Sequence, residues 1–440
     1  MIRRPVLGMV CCALGLSIAT TVVNSSPVHA ATITVTSGGD SGSGTLRAAL
    51  AAASSGDTIT FAPSVTDIEL TSGELSVSTG VTITGPGADV LTVRRSSAGG
   101  TPSFRIFMIS PGASETVSIS GLTISNGDAT PGGGIGFSGS SGTALNLVRI
   151  AVVGNNGMWG GGIDVAGDQS SSVLIDSSTV SANTTNNGTS CGFCNAAGMK
   201  AEVPTTIVNS TFSGNISGDN GGGIKVDSDV TIVNSTFAGN SATGQGGGIW
   251  VTSFNHHPDL VLKNTLVADN TAGAGHNECD VSPSNTTLSV NLNNLIEDGS
   301  CNFLWASGAT SGTATGFLSG DPALTALALN GASTRTHAIG EASAAFGSGD
   351  DATCGASPVG GVDQRGETRG TPCSIGAFDV SSSSATTTPS SSGGETSGST
   401  TVPADSPSHL APTGANLNVL VVLALVSLGG GIFAVRRRFL

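Results

Sequence analysis

One word, repeated at a fixed period, dominates the middle of the chain and leaves few folds open to it. Thr206-Ile207-Val208-Asn209-Ser210-Thr211-Phe212-Ser213-Gly214-Asn215 runs into Gly221-Gly222-Gly223-Ile224. The same words return 25 residues later, at 231–240 and at Gly246-Gly247-Gly248-Ile249. Earlier copies stand at 132–135 and 160–163, and Ala197-Gly198-Met199 is a degraded one. With the apolar residue as marker, positions 135, 163, 199, 224 and 249 are spaced by 28, 36, 25 and 25. Such a period marks stacked supersecondary units, none of which buries its apolar face alone.

Short β-rich runs precede the Asn of each copy, among them Val117-Ser118-Ile119 and Val173-Leu174-Ile175. Each is bounded by Gly, Asn or Ser and reads as a strand with turns. Nothing between Thr58 and Leu329 holds a 3.6-residue apolar period. A coil of about 25 residues suits one rung of a parallel β-helix, with rungs stacked at about 4.8 Å. The expected fold class is therefore all-β, a single-stranded right-handed parallel β-helix. Gly223 and Gly248, before the inward Ile, fit a corner that needs positive φ and has no room for a side chain. Asn215 and Asn240 occupy another corner, where Asn tolerates the left-handed conformation and stacked amides bond up the column. Linker glycines would not keep register with Phe and Asn. Composition agrees: Gly is 65 of 440 residues and charged residues are 10%, which suits a polar but weakly charged solenoid.

Both termini read as addresses. Arg3 and Arg4 precede an apolar stretch from Val6 to Val23, and Val28-His29-Ala30 fits a cleavage site with Ala31 as mature start. A lipoprotein reading of Cys11 or Cys12 lacks the small preceding residue. At the other end an apolar stretch over 417–435 is long enough to span a bilayer, and Arg436-Arg437-Arg438 would stay inside. The Ser/Thr/Gly/Pro segment 381–409 cannot bury enough surface to fold and reads as a stalk. The expected organisation is thus a signal peptide (1–30), a solenoid with an N-terminal capping helix (31–320), a C-terminal module (321–380), the stalk, and a terminal signal (410–440). Processing would remove five arginines and deepen the net charge from −14 to −19. That disfavours nucleic acid and anionic lipid as partners. No resident cofactor or metal is expected.

Six cysteines remain after signal removal: Cys191, Cys194, Cys279, Cys301, Cys354 and Cys373. An even count in an exported chain favours disulfides, with sequence neighbours the natural pairing among 15 connectivities. Cys191-Gly192-Phe193-Cys194 falls in the overlong 36-residue spacing, where a local bridge would pin a bulge. A redox pair lacks a βαβ setting, and a zinc site lacks a companion pair.

Several words resemble known families. Phe212-Ser213-Gly214-Asn215 and Phe237-Ala238-Gly239-Asn240, each with its triglycine and Ile, resemble the repeats of polymorphic outer-membrane-protein-type β-helices. Gly44-Thr45-Leu46-Arg47-Ala48-Ala49-Leu50 resembles the entry motif of bacterial surface β-helices, with Leu46, Ala49 and Leu50 on one helical face. The segment from Asp321 to Asp379 resembles a module found before the anchor of such proteins. Its matching words include Thr336-His337-Ala338, Asp363-Gln364-Arg365-Gly366 and Cys373-Ser374-Ile375-Gly376-Ala377-Phe378, and Asp363 and Arg365 suit a structural ion pair. Leu410-Ala411-Pro412-Thr413-Gly414, followed by the apolar stretch and arginines, resembles a cell-wall sorting signal of the Leu-Ala-X-Thr-Gly variant used by some actinobacteria. That resemblance implies sortase and peptidoglycan as partners, cleavage after Thr413, a membrane helix before sorting, and residence at the cell surface.

These readings imply a non-catalytic surface protein, an adhesin or spacer with a glycan or matrix ligand. The alternative is a surface-retained polysaccharide lyase or glycoside hydrolase, since β-helices include such enzymes. A hydrolase needs two carboxylates about 5–10 Å apart. Asp164 with Asp168, or Lys225 with Asp227 and Asp229, supply candidates, and Trp159 and Trp250 suit sugar stacking. Lyases would add a calcium-binding carboxylate cluster and a basic proton acceptor. Asp350-Asp351 reads as a solvated loop pair, and His256-His257-Pro258-Asp259 as a loop with metal-ligand chemistry. The Asn-Thr-Asp, Gly-His-Gly and Arg-X-Lys words of polygalacturonases are missing. A calcium-stiffened coat is a third reading.

Overall fold

The computed structural model describes residues 30–193, 195–253, 256–281, 286–301, 310–316 and 318–380. Residues 1–29, Cys194, the stalk, the motif Leu410 to Gly414 and the 417–435 stretch lie outside the described residues. No helix among the described residues is long and apolar enough to cross a membrane.

Each repeat makes one rung. Thr205–Val208 lies in a first sheet, Thr211–Ser213 in a second, Ile216–Ser217 in a short third and Ile224–Val226 in a fourth. The next repeat follows the same path and pairs in parallel with all four strands. Among the described residues the sheets hold 11, 9, 5 and 8 strands. The chain is an all-β parallel β-solenoid, wound in the right-handed sense that parallel crossovers take.

The marker residues form one internal column: Phe107, Ile135, Ile163, Met199, Ile224, Ile249 and Cys279. The degraded copy at Met199 thus keeps register, and the column extends past the triglycines at both ends. In the second sheet Phe212 and Phe237 stack with ring centroids 4.7 Å apart. Alternation along each strand sends every second side chain into this core.

The three glycines do different work. Gly221 and Gly246, the first of their triplets, have φ of 68° and 63°. Gly223 and Gly248, expected at positive φ, are not in that region. They are glycine because rungs approach closely: a Cβ on Gly223 would stand 2.5 Å from the Gly248 carbonyl oxygen. Asn215 and Asn240 also avoid the left-handed region, which falls on Asn209 and Asn234 and on the preceding Gly214 and Gly239. Instead they belong to a buried ladder. Asn155 Nδ2 donates to Asn183, Asn183 to Asn215, Asn215 to Asn240 and Asn240 to Asn270, at 2.8–3.0 Å. Each Nδ2 also donates to a backbone carbonyl, as Asn240 does to Phe212. This satisfies polar groups that water cannot reach.

Leu46–Ala52 forms helix α1, capped by Thr45, with Leu46 and Ala49 buried in the solenoid core. Residues 321–380 return along the outer side of the second sheet. Thr334 Oγ1 donates to Ser177 O, Thr211 Oγ1 to Gln364 Oε1, Arg369 to Asn209 Oδ1 and Gly376 N to Asn264 O. Arg369 is buried, which pushes its pKa down to about 10 against the pull of Asp379 and Asp363. Asp363 and Arg365 form the ion pair at 2.7 Å. Disulfides join Cys279 to Cys301 and Cys354 to Cys373, both sequence neighbours. Cys191 is disulfide-bonded as well.

Candidate functional site: a groove on the fourth sheet

The residue after each marker points outward, because the marker points inward. This places Asp164, Lys200, Lys225 and Trp250 in one column on the outer face of the fourth sheet. Two residues further along, Glu202, Asp227 and Thr252 follow in the next column. Trp159 reaches the same face from the turn before the Gly160 corner, and its Nε1 donates to Phe193 O at 2.7 Å. Phe193 lies on the bulge of the overlong repeat and is 76% exposed, and Trp159 is 39% exposed. Trp159, Phe193, Lys200, Glu202, Lys225, Trp250 and Thr252 line a groove of about 540 Å³, within the roughly 300–1,000 Å³ of small-molecule sites, while Asp164 and Asp227 are buried against its lysines.

Its charges are interlocked. Lys200 Nζ lies 2.8 Å from Glu202 and 3.4 Å from Asp164. Lys225 Nζ lies 3.7 Å from Asp227. Lys200 also sits 5.8 Å from the centre of the Trp159 ring and Lys225 5.5 Å from that of Trp250, in cation–π range. Burial raises the Asp164 carboxyl to about 6, with Lys200 pulling the other way. Burial opposes charge on Lys200 as well, but Asp164 and Glu202 outweigh it and its pKa rises. On Lys225 burial wins over Asp227, and the pKa falls. The arrangement supplies two ammonium donors and the Glu202 carboxylate acceptor between indole rings. It also holds a carboxyl near neutrality beside a second carboxylate.

The structure unites Asp164, Lys225, Asp227, Trp159 and Trp250, which the sequence offered as separate candidates. It leaves out Asp168 and Asp229. Asp168 accepts from Ser170 in a turn, and Asp229 accepts from Asp259 N. Asp350, half-buried, caps the short helix α2, Asp351–Gly355, and the exposed Asp351 accepts from Cys373 N, so both carboxylates have local structural partners. His256 faces Gln169 at 3.1 Å. Among the described residues no three His, Cys, Asp or Glu side chains are grouped for a metal. Sequence reasoning missed Lys200, Glu202 and Phe193. Aligning the residue that follows each marker would have found the lysine. A second, polar recess of about 490 Å³ around Arg105, Asp128, Asn156 and Met158 lies beyond the Trp159 turn.

No family model matches the chain, and no curated protein matches it significantly. A solved structure similar to it is described as the crystal structure of pectate lyase Pel9A, with a TM-score of 0.45 and 14% identity. The match covers 79% of this chain and 96% of that one. At that level it assigns no activity to this chain.

Proposed function

We propose that this chain is an exported protein held at the cell surface, where its solenoid binds glycan in the fourth-sheet groove without turning it over. The observation that carries the reading is the placement of Trp159, Trp250 and the Lys200–Glu202 and Lys225–Asp227 pairs on one face of rigid rungs. Paired aromatic and polar groups on a preformed surface are what sugar recognition needs, and rigid rungs lower its entropic cost. The signal segment, stalk and Leu410-Ala411-Pro412-Thr413-Gly414 with its apolar stretch support sorting to the wall through sortase and peptidoglycan. Disulfides suit an oxidising exterior. Export and sorting are tested together by fractionating cells that make the full chain, with Thr413→Ala as comparison. Wall-linked protein that becomes membrane-held on this substitution supports the anchoring. An unchanged distribution sinks it.

A second reading, a surface-retained polysaccharide lyase or hydrolase, is favoured by one arrangement: the Asp164 carboxyl, whose pKa burial raises to about 6, lies across Lys200 from Glu202. A poised acid beside a carboxylate is the pattern of glycoside hydrolysis. Release of reducing ends or unsaturated products from a polysaccharide panel, abolished by Asp164→Asn, would establish it over the binding reading.

A further inference from the structure

From the charge balance of this groove we infer that it takes a neutral oligosaccharide rather than a polyuronate or another polyanionic chain. The inference rests on the glycan-binding reading and adds the class of ligand. Two ammonium groups, Lys200 and Lys225, line the groove with the Glu202 carboxylate, and the buried carboxyls of Asp164 and Asp227 pair with them from below. Both lysines already hold carboxylate partners, so an anionic sugar would have to displace an acid from each. A further cation that acts on Asp164, Arg105, is paired with Glu74 at 2.8 Å and leaves the balance unchanged. The whole chain carries a net charge of −14, which repels polyanions at long range.

A neutral pyranose meets no such penalty. Its hydroxyls are donors and acceptors at once, and the floor offers both ammonium groups and the Glu202 carboxylate. Its C–H face is apolar and suits the indoles of Trp159 and Trp250. These two leave the backbone three rungs apart, about 14 Å at the usual strand spacing. A ligand that uses both indoles is therefore an oligomer lying along the solenoid axis, and a single sugar is too short.

The test uses the full chain purified in detergent. Binding of cellohexaose, chitohexaose, mannohexaose and hexagalacturonate is titrated calorimetrically, with glucose as the monomer control. At least one neutral hexamer binds, glucose and hexagalacturonate do not, and added salt leaves the affinity unchanged. Trp159→Ala and Trp250→Ala each weaken binding about tenfold or more. Trp159 lies on an exposed turn, so its variant keeps the fold even where Trp250→Ala disturbs the sheet, and a melting curve checks both. Hexagalacturonate binding that is tighter than that of every neutral hexamer, and sensitive to Trp159→Ala, overturns the neutral-ligand inference and leaves the glycan reading standing. No binding of any hexamer overturns both.

Discussion

Ala182 shows how closely the rungs constrain single residues. Its φ is 52°, and at the same station of the following rungs Gly214 and Gly239 stand at 62° and 64°. Nothing lies within 4 Å of where a Cβ would sit on those glycines, so backbone strain alone separates Ala from Gly there. Left-handed φ disfavours a β-carbon, while Gly loses more entropy on folding. Ala182→Gly should therefore stabilise the protein by about 0.5–1 kcal/mol in urea titration. A second residue sets a pH dependence. Glu278 ends the Asn ladder, accepting from Asn270 N and Nδ2. Burial raises it to about 8, with Asn270 opposing and Asp298 and Glu297 adding to the rise. The folded state then holds this proton more tightly than the unfolded one, so its contribution to stability falls as pH rises from 4.5 to 8. Glu278→Gln should remove a stability change on the order of 5 kcal/mol across that window. Parallel curves for the two proteins between pH 5 and 8 would refute it.

At the scale of the element, the Asn ladder is the feature most exposed to a single change. Asn240 donates to Phe212 O and to Asn270 Oδ1, and it accepts from Asn215 N and Nδ2. Asn240→Ala strands these partners away from water and should cost roughly 3 kcal/mol or more. Asn220, near the rim, donates to Asn195 Oδ1 at 3.4 Å and accepts from Gln245 N. Asn220→Ala should cost less, and equal losses at the two sites in denaturant titration would contradict the ladder's role. The ladder was legible in the sequence because Asn215 and Asn240 keep the period. The period could not say which glycine of each triplet turns the chain and which admits the next rung, since all three recur together. Nor could it show the groove. Within one rung Lys200 and Glu202 are an unremarked pair, and they become a site only when the rungs of Ile163 and Ile224 close in on either side.

For the molecule as a whole, the segment 321–380 changes how the solenoid should unfold. Rungs that touch only their neighbours behave as a one-dimensional array, whose cooperativity can break into steps. Here one segment ties non-adjacent rungs together. Gln364 alone bonds Thr179 and Thr211, Arg369 holds Asn209, Ala377 N donates to Thr236 Oγ1, and Asp350 N donates to Asn264 Oδ1. The Cys354–Cys373 bridge fixes the segment's own shape. None of this was visible beforehand, because the paired residues are non-periodic and stand 86 to 185 positions apart. A chain ending at Gly320 keeps every rung-to-rung bond but loses these ties. It should melt at lower temperature and over a wider range, with hydrogen exchange at Thr211 and Thr236 quickening before that at Ile119 and Ile135. A shortened chain with the same single sharp transition as the intact one would mean that the rungs cooperate without the segment, and that its contacts only cover the second sheet.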